Sequence, residues 1–432
     1  MNHFESGKVI NTNFGIPITI ESFIAGGGQG DVYKVTYDGK KKALKWYKPG
    51  ALADPDAFYE NLEKNVKKGS PDKAFLWPQA ITEKTEGSFG YIMDLRPDEY
   101  RELTDILVSS GGGGFSTFKA IVEAGIRIVS AFRSLYKIGY SYQDMNSGNF
   151  FINPKTGAVL ICDNDNVAPN ETYTGIIGTP QYMAPEIVIG ESKPNTHTDE
   201  FSLAVVLFML LCANHPLEGK HWTVPCLTPA LEKRLYGSDA LFVFDPNDDS
   251  NRPVKGVHNN VLKRWGFLPQ YLKDIFITAF SHDAITNPNR RVKYLDWLKA
   301  LVRFQSDIVR CPSCGNEIFI IDASNTNCEK CQKLFEVKNT LKLSDYSITV
   351  AKNTRIYRCQ IEVCNAEEAL TPVALVVAKK DNPNILGLRN MTKSTLVGVT
   401  PSGKTNQVKP GEVIPIKAGI SVKAFDGTIE IQ

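Results

Sequence analysis

Tyr142-Gln143-Asp144-Met145-Asn146-Ser147-Gly148-Asn149 is the stretch on which the fold of this 432-residue chain turns. It sets a carboxylate, Asp144, five positions ahead of an amide, Asn149, among residues that favour turns. Asp163 follows directly behind the apolar run Ala158-Val159-Leu160-Ile161-Cys162, which places it at the end of a buried strand. An Asp with an Asn five residues later carries no information alone, because such pairs arise by chance in loops. Their order relative to upstream features gives them weight.

Upstream, Ile18-Thr19-Ile20-Glu21-Ser22-Phe23-Ile24 reads as a strand, and Ala25-Gly26-Gly27-Gly28-Gln29-Gly30 turns it into a returning strand that alternates through Asp31-Val32-Tyr33-Lys34-Val35. Glycine lets backbone amides approach an anion with no side chain in the way. A glycine run by itself is equally a flexible turn, and Gly111-Gly112-Gly113-Gly114 reads as plain linker because no strand leads into it and no lysine answers it. Lys45, fifteen residues after Gly30, sits on the next strand, Lys42-Ala43-Leu44-Lys45-Trp46; in isolation it would be one more solvated lysine of the basic run Lys40-Lys41-Lys42. Together these groups meet the demands of a triphosphate, which needs a metal and a cation against its charge, and of an acceptor hydroxyl, which needs a positioned carboxylate.

In this order the residues from about 14 to 303 resemble a protein kinase domain of the bacterial Ser/Thr type. Gly178-Thr179-Pro180-Gln181-Tyr182-Met183-Ala184-Pro185-Glu186 resembles the end of an activation segment, and Asp199-Glu200-Phe201-Ser202-Leu203-Ala204 the start of the central buried helix. Arg291 matches the arginine that family members pair with the Ala-Pro-Glu glutamate, here Glu186. The resemblance implies an α+β, bilobal kinase fold within residues 1–305, with an N-lobe over about 14–95 and a C-lobe over about 96–303. It implies Asp144 as base, Asn149 and Asp163 as Mg²⁺ ligands, and Lys45 on the inner phosphates of ATP. A glutamate from the next helix, expected over Asp56 to Lys68, should pair with Lys45; Glu63 is preferred to Glu60 for its distance to the following strand, Ala74-Phe75-Leu76-Trp77-Pro78. ATP would lie against Ala25, Gly26, Gly27, Gly28, Gly30, Val32 and Ala43, with Met93 as gatekeeper and the backbone of Asp94 and Arg96 at the adenine.

The departures are informative. The family's His-Arg-Asp appears as Tyr142-Gln143-Asp144 and its Asp-Phe-Gly as Asp163-Asn164-Asp165, both keeping the chemical Asp. Ala25 replaces the first loop glycine, and Asn146 stands where Ser/Thr kinases carry a lysine. With Gln143 in place of an arginine there is no cation for a loop phosphate to neutralise, so activity should not require phosphorylation of Thr172, Tyr173 or Thr174. The lysine, base and metal ligands are all present, which favours an active enzyme over a pseudokinase-like scaffold. The activation segment disfavours a small-molecule phosphotransferase.

Cys311-Pro312-Ser313-Cys314-Gly315 and Cys328-Glu329-Lys330-Cys331, two C-x2-C pairs separated by thirteen residues, resemble a zinc ribbon over 308–338. Four thiolates with no open position imply a structural Zn²⁺, the alternative being a pair of redox dithiols. The short alternating segments Ser347-Ile348-Thr349-Val350, Ala374-Leu375-Val376-Val377 and Ile420-Ser421-Val422-Lys423 suggest a β-sandwich over 340–432. Leu388-Arg389-Asn390-Met391-Thr392 faintly resembles part of a forkhead-associated domain, without the residues that read phosphothreonine. A packing module, or one that docks a regulatory protein, is the expectation. A formal charge of +2 gives no steering toward nucleic acid or anionic membrane. The apolar run Leu203 to Ala213 is far shorter than the ~20 residues of a membrane span. Nine cysteines without a disulfide spacing, and a start without an apolar signal core, lead us to expect a cytoplasmic protein acting on a protein substrate.

Overall fold

The computed structural model describes residues 3–85, 87–109, 114–172 and 178–432. The chain divides into two compact units, one of residues 1–115, 127–266 and 276–292, the other of 116–126, 267–275 and 293–432.

The first unit opens with a six-stranded antiparallel sheet made of β1 (Val9–Asn11), β2 (Pro17–Gly26), β3 (Gly30–Tyr37), β4 (Lys40–Tyr47), β5 (Ala80–Ile81) and β6 (Gly90–Asp94), in the order β1-β2-β3-β4-β6-β5. Alternation in β2 and β3 buries Ile18, Ile20, Tyr33 and Val35 on one face. The turn at Gly27–Gly30 closes with Gly27 N–H donating to Gly30 O at 2.8 Å. Gly30 has a packing reason as well: a Cβ there would lie 2.4 Å from the carbonyl oxygen of Trp46 on β4.

Helix α1 (Pro55–Lys68) starts at an Asp54 cap with proline in its first turn. Its buried residues Phe58, Asn61, Leu62 and Asn65 follow the i, i+3, i+4, i+7 spacing of one helical face. The segment Ala74–Pro78, expected as a strand, is extended and bonded to Ile161 (Leu76 N–H to Ile161 O, 2.8 Å) without joining the sheet. Farther along, Arg101–Glu102, Phe150–Ile152 and Val159–Ile161 form a small antiparallel sheet that carries the Asp144 and Asp163 segments on either side of its hairpin. The helix Thr196–Cys212 is buried along nearly its whole length and opens with a capping box between Asn195 and Thr198. Among the described residues no helix is long and apolar enough to cross a membrane.

In the second unit the strands Ile308–Arg310 and Glu317–Phe319 pair, as do Thr326–Asn327 and Leu334–Phe335. The boundary expected near 305 falls inside this unit. The helix Tyr294–Asp307 sets Phe304 in a stack on Phe319, with ring centroids 6.0 Å apart, while Glu317 accepts from the N–H groups of Phe118 and Lys119. Beyond residue 340, antiparallel sheets of six and four strands enclose one core that includes Leu341, Ile348, Ile356, Val376, Leu388 and Ile429. Asn390 and Thr392, part of the forkhead-associated likeness, are buried and bonded to each other and to Ser394 O, so they brace a turn.

Candidate functional site

The loop from Tyr142 to Asn149 is held from below by Asp199. Its carboxylate accepts from Tyr142 N–H at 2.6 Å and from Gln143 N–H at 3.4 Å, while burial pushes its pKa up to about 7. Gln143 adopts φ +71°, and its Nε2 donates to Thr172 O at 2.8 Å. Asn149 Nδ2 donates to Asp144 O at 2.8 Å, which ties amide and acid together and leaves the amide Oδ1 as its acceptor atom. Asn146 Nδ2 lies 3.4 Å from Asp144 Oδ1, so an amide rather than an ammonium stands beside this carboxylate. Burial raises the Asp144 pKa, the charge of Asp163 adds to that, and the Asn146 bond opposes it.

Asp163 ends its strand in the left-handed region, φ +52°, with a side chain 39% exposed. Lys45 reaches it from β4 at 3.2 Å. Lys45 is itself buried; that alone would lower its pKa, and the charges of Asp165 and Asp163 more than offset the burial and leave it raised.

Glu63 is a correction. Neither Glu63 nor Glu60 meets Lys45: both are exposed, and Glu63 accepts from Asn13 Nδ2 instead. The helical period explains this, because Phe58 and Leu62 anchor α1 and turn the adjacent position 63 outward, so the inward face presents Asn61 and Asn65. Both amides donate to Val167 O, at 3.0 and 2.8 Å. The carboxylate that pairs with Lys45 at 2.8 Å is Asp165, fully buried and also hydrogen-bonded by the Tyr47 hydroxyl. In the sequence Asp165 is only a second acid two positions after Asp163, in a polar run that gives no sign of its burial.

Val32, Ala43 and Met93 meet in one apolar cluster with Leu95, Leu160 and Cys162, and Ala43 and Met93 are directly paired between β4 and β6. The Asp94 side chain holds Lys42, and Arg96 Nη1 donates to Tyr100 O while its guanidinium lies over the Phe151 ring. Ala25 and Gly26 end β2, and Lys48 Nζ braces the turn by donating to Gly27 O at 2.6 Å; a Cβ on Gly28 would meet nothing. Arg291 and Glu186 form the expected bidentate pair, at 2.9 and 2.8 Å, and Arg291 also donates to His197 O. Tyr173, Thr174 and Gly111 to Gly113 lie outside the described residues.

In the second unit the four sulfurs of Cys311, Cys314, Cys328 and Cys331 lie within 4.8 Å of one another. The Cys311–Cys331 and Cys314–Cys328 separations are 3.7 and 3.6 Å. A tetrahedron of sulfurs at the Zn–S distance of ~2.3 Å has edges of about 3.8 Å, whereas a disulfide needs ~2.05 Å. Both knuckles have the same backbone. Gly315 N–H donates to Cys311 O and Gln332 N–H to Cys328 O, with φ of +73° and +58° at the two turning residues. The backbone N–H of Cys314 draws the Cys311 thiol down to about 6, and that of Cys331 lowers Cys328 in the same way.

Residues 87–231 match the family model described as protein kinase domain. A Drosophila melanogaster protein described as a putative protein kinase C delta type homolog is 30% identical over 210 residues, which are 46% of this chain and 30% of that protein. The calcium/calmodulin-dependent serine/threonine-protein kinase 1 of Oryza sativa subsp. japonica is 29% identical over 120 residues, 27% of this chain and 19% of that protein. The chain thus matches less than a third of the length of these curated relatives. The Mycobacterium tuberculosis PknI kinase domain aligns at 17% identity with a TM-score of 0.47, covering 70% of this chain and 99% of that one. Residues 87–231, which hold Asp144, Asn149 and Asp163, thus resemble a protein kinase domain, and the curated relatives that match there are described as protein kinases.

Proposed function

We propose that this chain is an ATP-dependent protein kinase that transfers the γ-phosphate to a serine or threonine hydroxyl of a protein substrate. The observation that carries this reading is the ion pair of Lys45 with Asp163, 118 positions apart, beside a loop in which Asn149 is bonded to Asp144 O. Asp144 orients the acceptor hydroxyl and takes its proton, a role helped by burial that raises its basicity. Asp163, with an accessible carboxylate, and Asn149, with its free Oδ1, are hard oxygen donors that suit Mg²⁺. Bound Mg²⁺ and ATP supply the phosphoryl group and the divalent charge that offsets it. Lys45 holds the inner phosphates, the glycine turn covers them, and Val32, Ala43 and Met93 pack on the base. Incubating the full chain with γ-labelled ATP, Mg²⁺ and a generic protein acceptor should place label on Ser or Thr. Nucleotide binding without any transfer would favour a scaffold that presents the ribbon and β domain to partners.

The four cysteines are assigned to one structural zinc, supported by sulfur separations that match a tetrahedral thiolate set. Nine cysteines, four of them assigned to zinc and none in a disulfide, fit a reducing, cytoplasmic setting. The ribbon and the sheets after residue 340 are the surfaces we assign to a regulatory protein.

Control by loop phosphorylation is not expected. Gln143 tethers the segment at Thr172 O through a neutral bond, so this position offers no cation for a loop phosphate to neutralise. The triple variant Thr172→Ala, Tyr173→Phe, Thr174→Ala should turn over within about threefold of the parent. A loss beyond about a hundredfold, on the order of 2.7 kcal/mol of barrier, would show that the loop is a phosphorylation switch.

A further inference from the structure

We infer that Asp165 is the positioning residue for Lys45, supplying from the segment after the Asp163 strand the counter-charge that would otherwise come from helix α1. The inference rests on the kinase reading above and specifies how its lysine is held. Four observations carry it. Asp165 Oδ2 lies 2.8 Å from Lys45 Nζ, closer than Asp163 at 3.2 Å. The two acids of α1 that could compete are exposed, and Glu63 is engaged with Asn13. The inward face of α1 carries amides, and Asn61 Nδ2 reaches the backbone of the same segment, 3.4 Å from Asp165 O and 3.0 Å from Val167 O. Finally, Asp165 Oδ1 is buried without a hydrogen-bond partner, a cost that a smaller apolar residue would avoid and that the lysine contact explains.

The arrangement has a consequence for control. A lysine whose partner sits on a helix loses it when the helix moves. Here Lys45 and both its carboxylates belong to β4 and to the residues just after Ile161, so the charge pair draws no charge from α1, whose polar bonds to the segment, from Asn61 and Asn65, are neutral amide–carbonyl bonds. The Tyr47 hydroxyl, two residues along β4 from Lys45, bonds the same Oδ2 and fixes its rotamer.

The test compares Asp165→Asn with Glu63→Ala in the full chain. Asparagine keeps the volume and an acceptor for Tyr47 while removing the charge. We expect Asp165→Asn to lower kcat by about a hundredfold at a temperature where the variant is still folded, and Glu63→Ala to stay within about twofold. A second readout does not need turnover: the rate at which Lys45 is acylated by a small anhydride at fixed pH. Without the Asp165 contact the Lys45 Nζ is no longer clamped in place, and modification should speed at least tenfold in Asp165→Asn. Should Asp165→Asn misfold, the double variant Asn61→Glu with Asp165→Gly moves the charge to α1 and should recover at least tenfold over Asp165→Gly alone. A Glu63→Ala loss as large as that of Asp165→Asn, or unchanged Lys45 acylation in Asp165→Asn, would overturn the inference. A parent chain that transfers no phosphate but shows the acylation difference would sink the kinase reading and leave the Lys45–Asp165 assignment standing.

Discussion

Replacing Asp144 with alanine should lower phosphoryl transfer by about 10²–10⁴-fold, the usual contribution of a positioned proton acceptor, while ATP binding stays near that of the parent. The split follows from geometry. The Asp144 carboxylate is bonded to Asn146, whereas Lys45 is paired with Asp163 and Asp165, so on the proposed reading its loss removes the group that acts on the acceptor and leaves the lysine and its partners in place. Lys45→Met should instead weaken both nucleotide binding and turnover. The pH profile gives a second check. Because burial raises the Asp144 pKa, the protonated, inactive form persists to higher pH than for an ordinary aspartate near ~3.9, and kcat should fall on acidification along a limb displaced upward from that value. Undiminished turnover in Asp144→Ala would refute the assignment of the base.

Zinc analysis of the full chain should find one ion per molecule, and Cys314→Ser combined with Cys331→Ser should bring that close to zero. The ribbon core consists of Val309, Ile318, Ile320 and the cysteines, with Phe335, Val337 and Ala351 partly buried against them, too little apolar surface to fold so short a segment unaided. Metal binding and folding are then one event, with apparent free energies of ~10–16 kcal/mol for such sites. Chelator should therefore expose Phe319 and abolish its stack on Phe304, readable as lost protection of the Tyr294–Asp307 helix in hydrogen exchange. Protons compete for thiolates, so zinc affinity should fall as pH is lowered. A zinc-free chain that keeps the same protection would end the structural-zinc assignment.

Much of this protein was legible in its sequence because the relevant signals are local. Glycine spacing and alternation place the β2–β3 turn, C-x2-C spacing places four sulfurs, and the run Ala158 to Cys162 places Asp163 at a strand end. Even a long-range contact, Arg291 with Glu186, could be read, since both lie in motifs whose pairing the resemblance implies. The partner of Lys45 could not. Helical periodicity reports which residues share a face but not which face turns inward, and α1 offered Glu60 and Glu63 as plausibly as Asn61 and Asn65. That phase was decided by Phe58 and Leu62 docking against the sheet, which turned both acids to solvent. With no carboxylate facing in from the helix, a buried ammonium still required one, and only the path of the chain after Ile161 brought Asp165 within 2.8 Å. Gly30 makes the same point, since its reading as a phosphate-loop glycine came from spacing, and its need to clear Trp46 O appeared only when β3 and β4 were laid side by side. Local pattern determined the kind of site this chain could build; the rotation of one helix and the meeting of segments 120 positions apart decided which carboxylate holds its lysine.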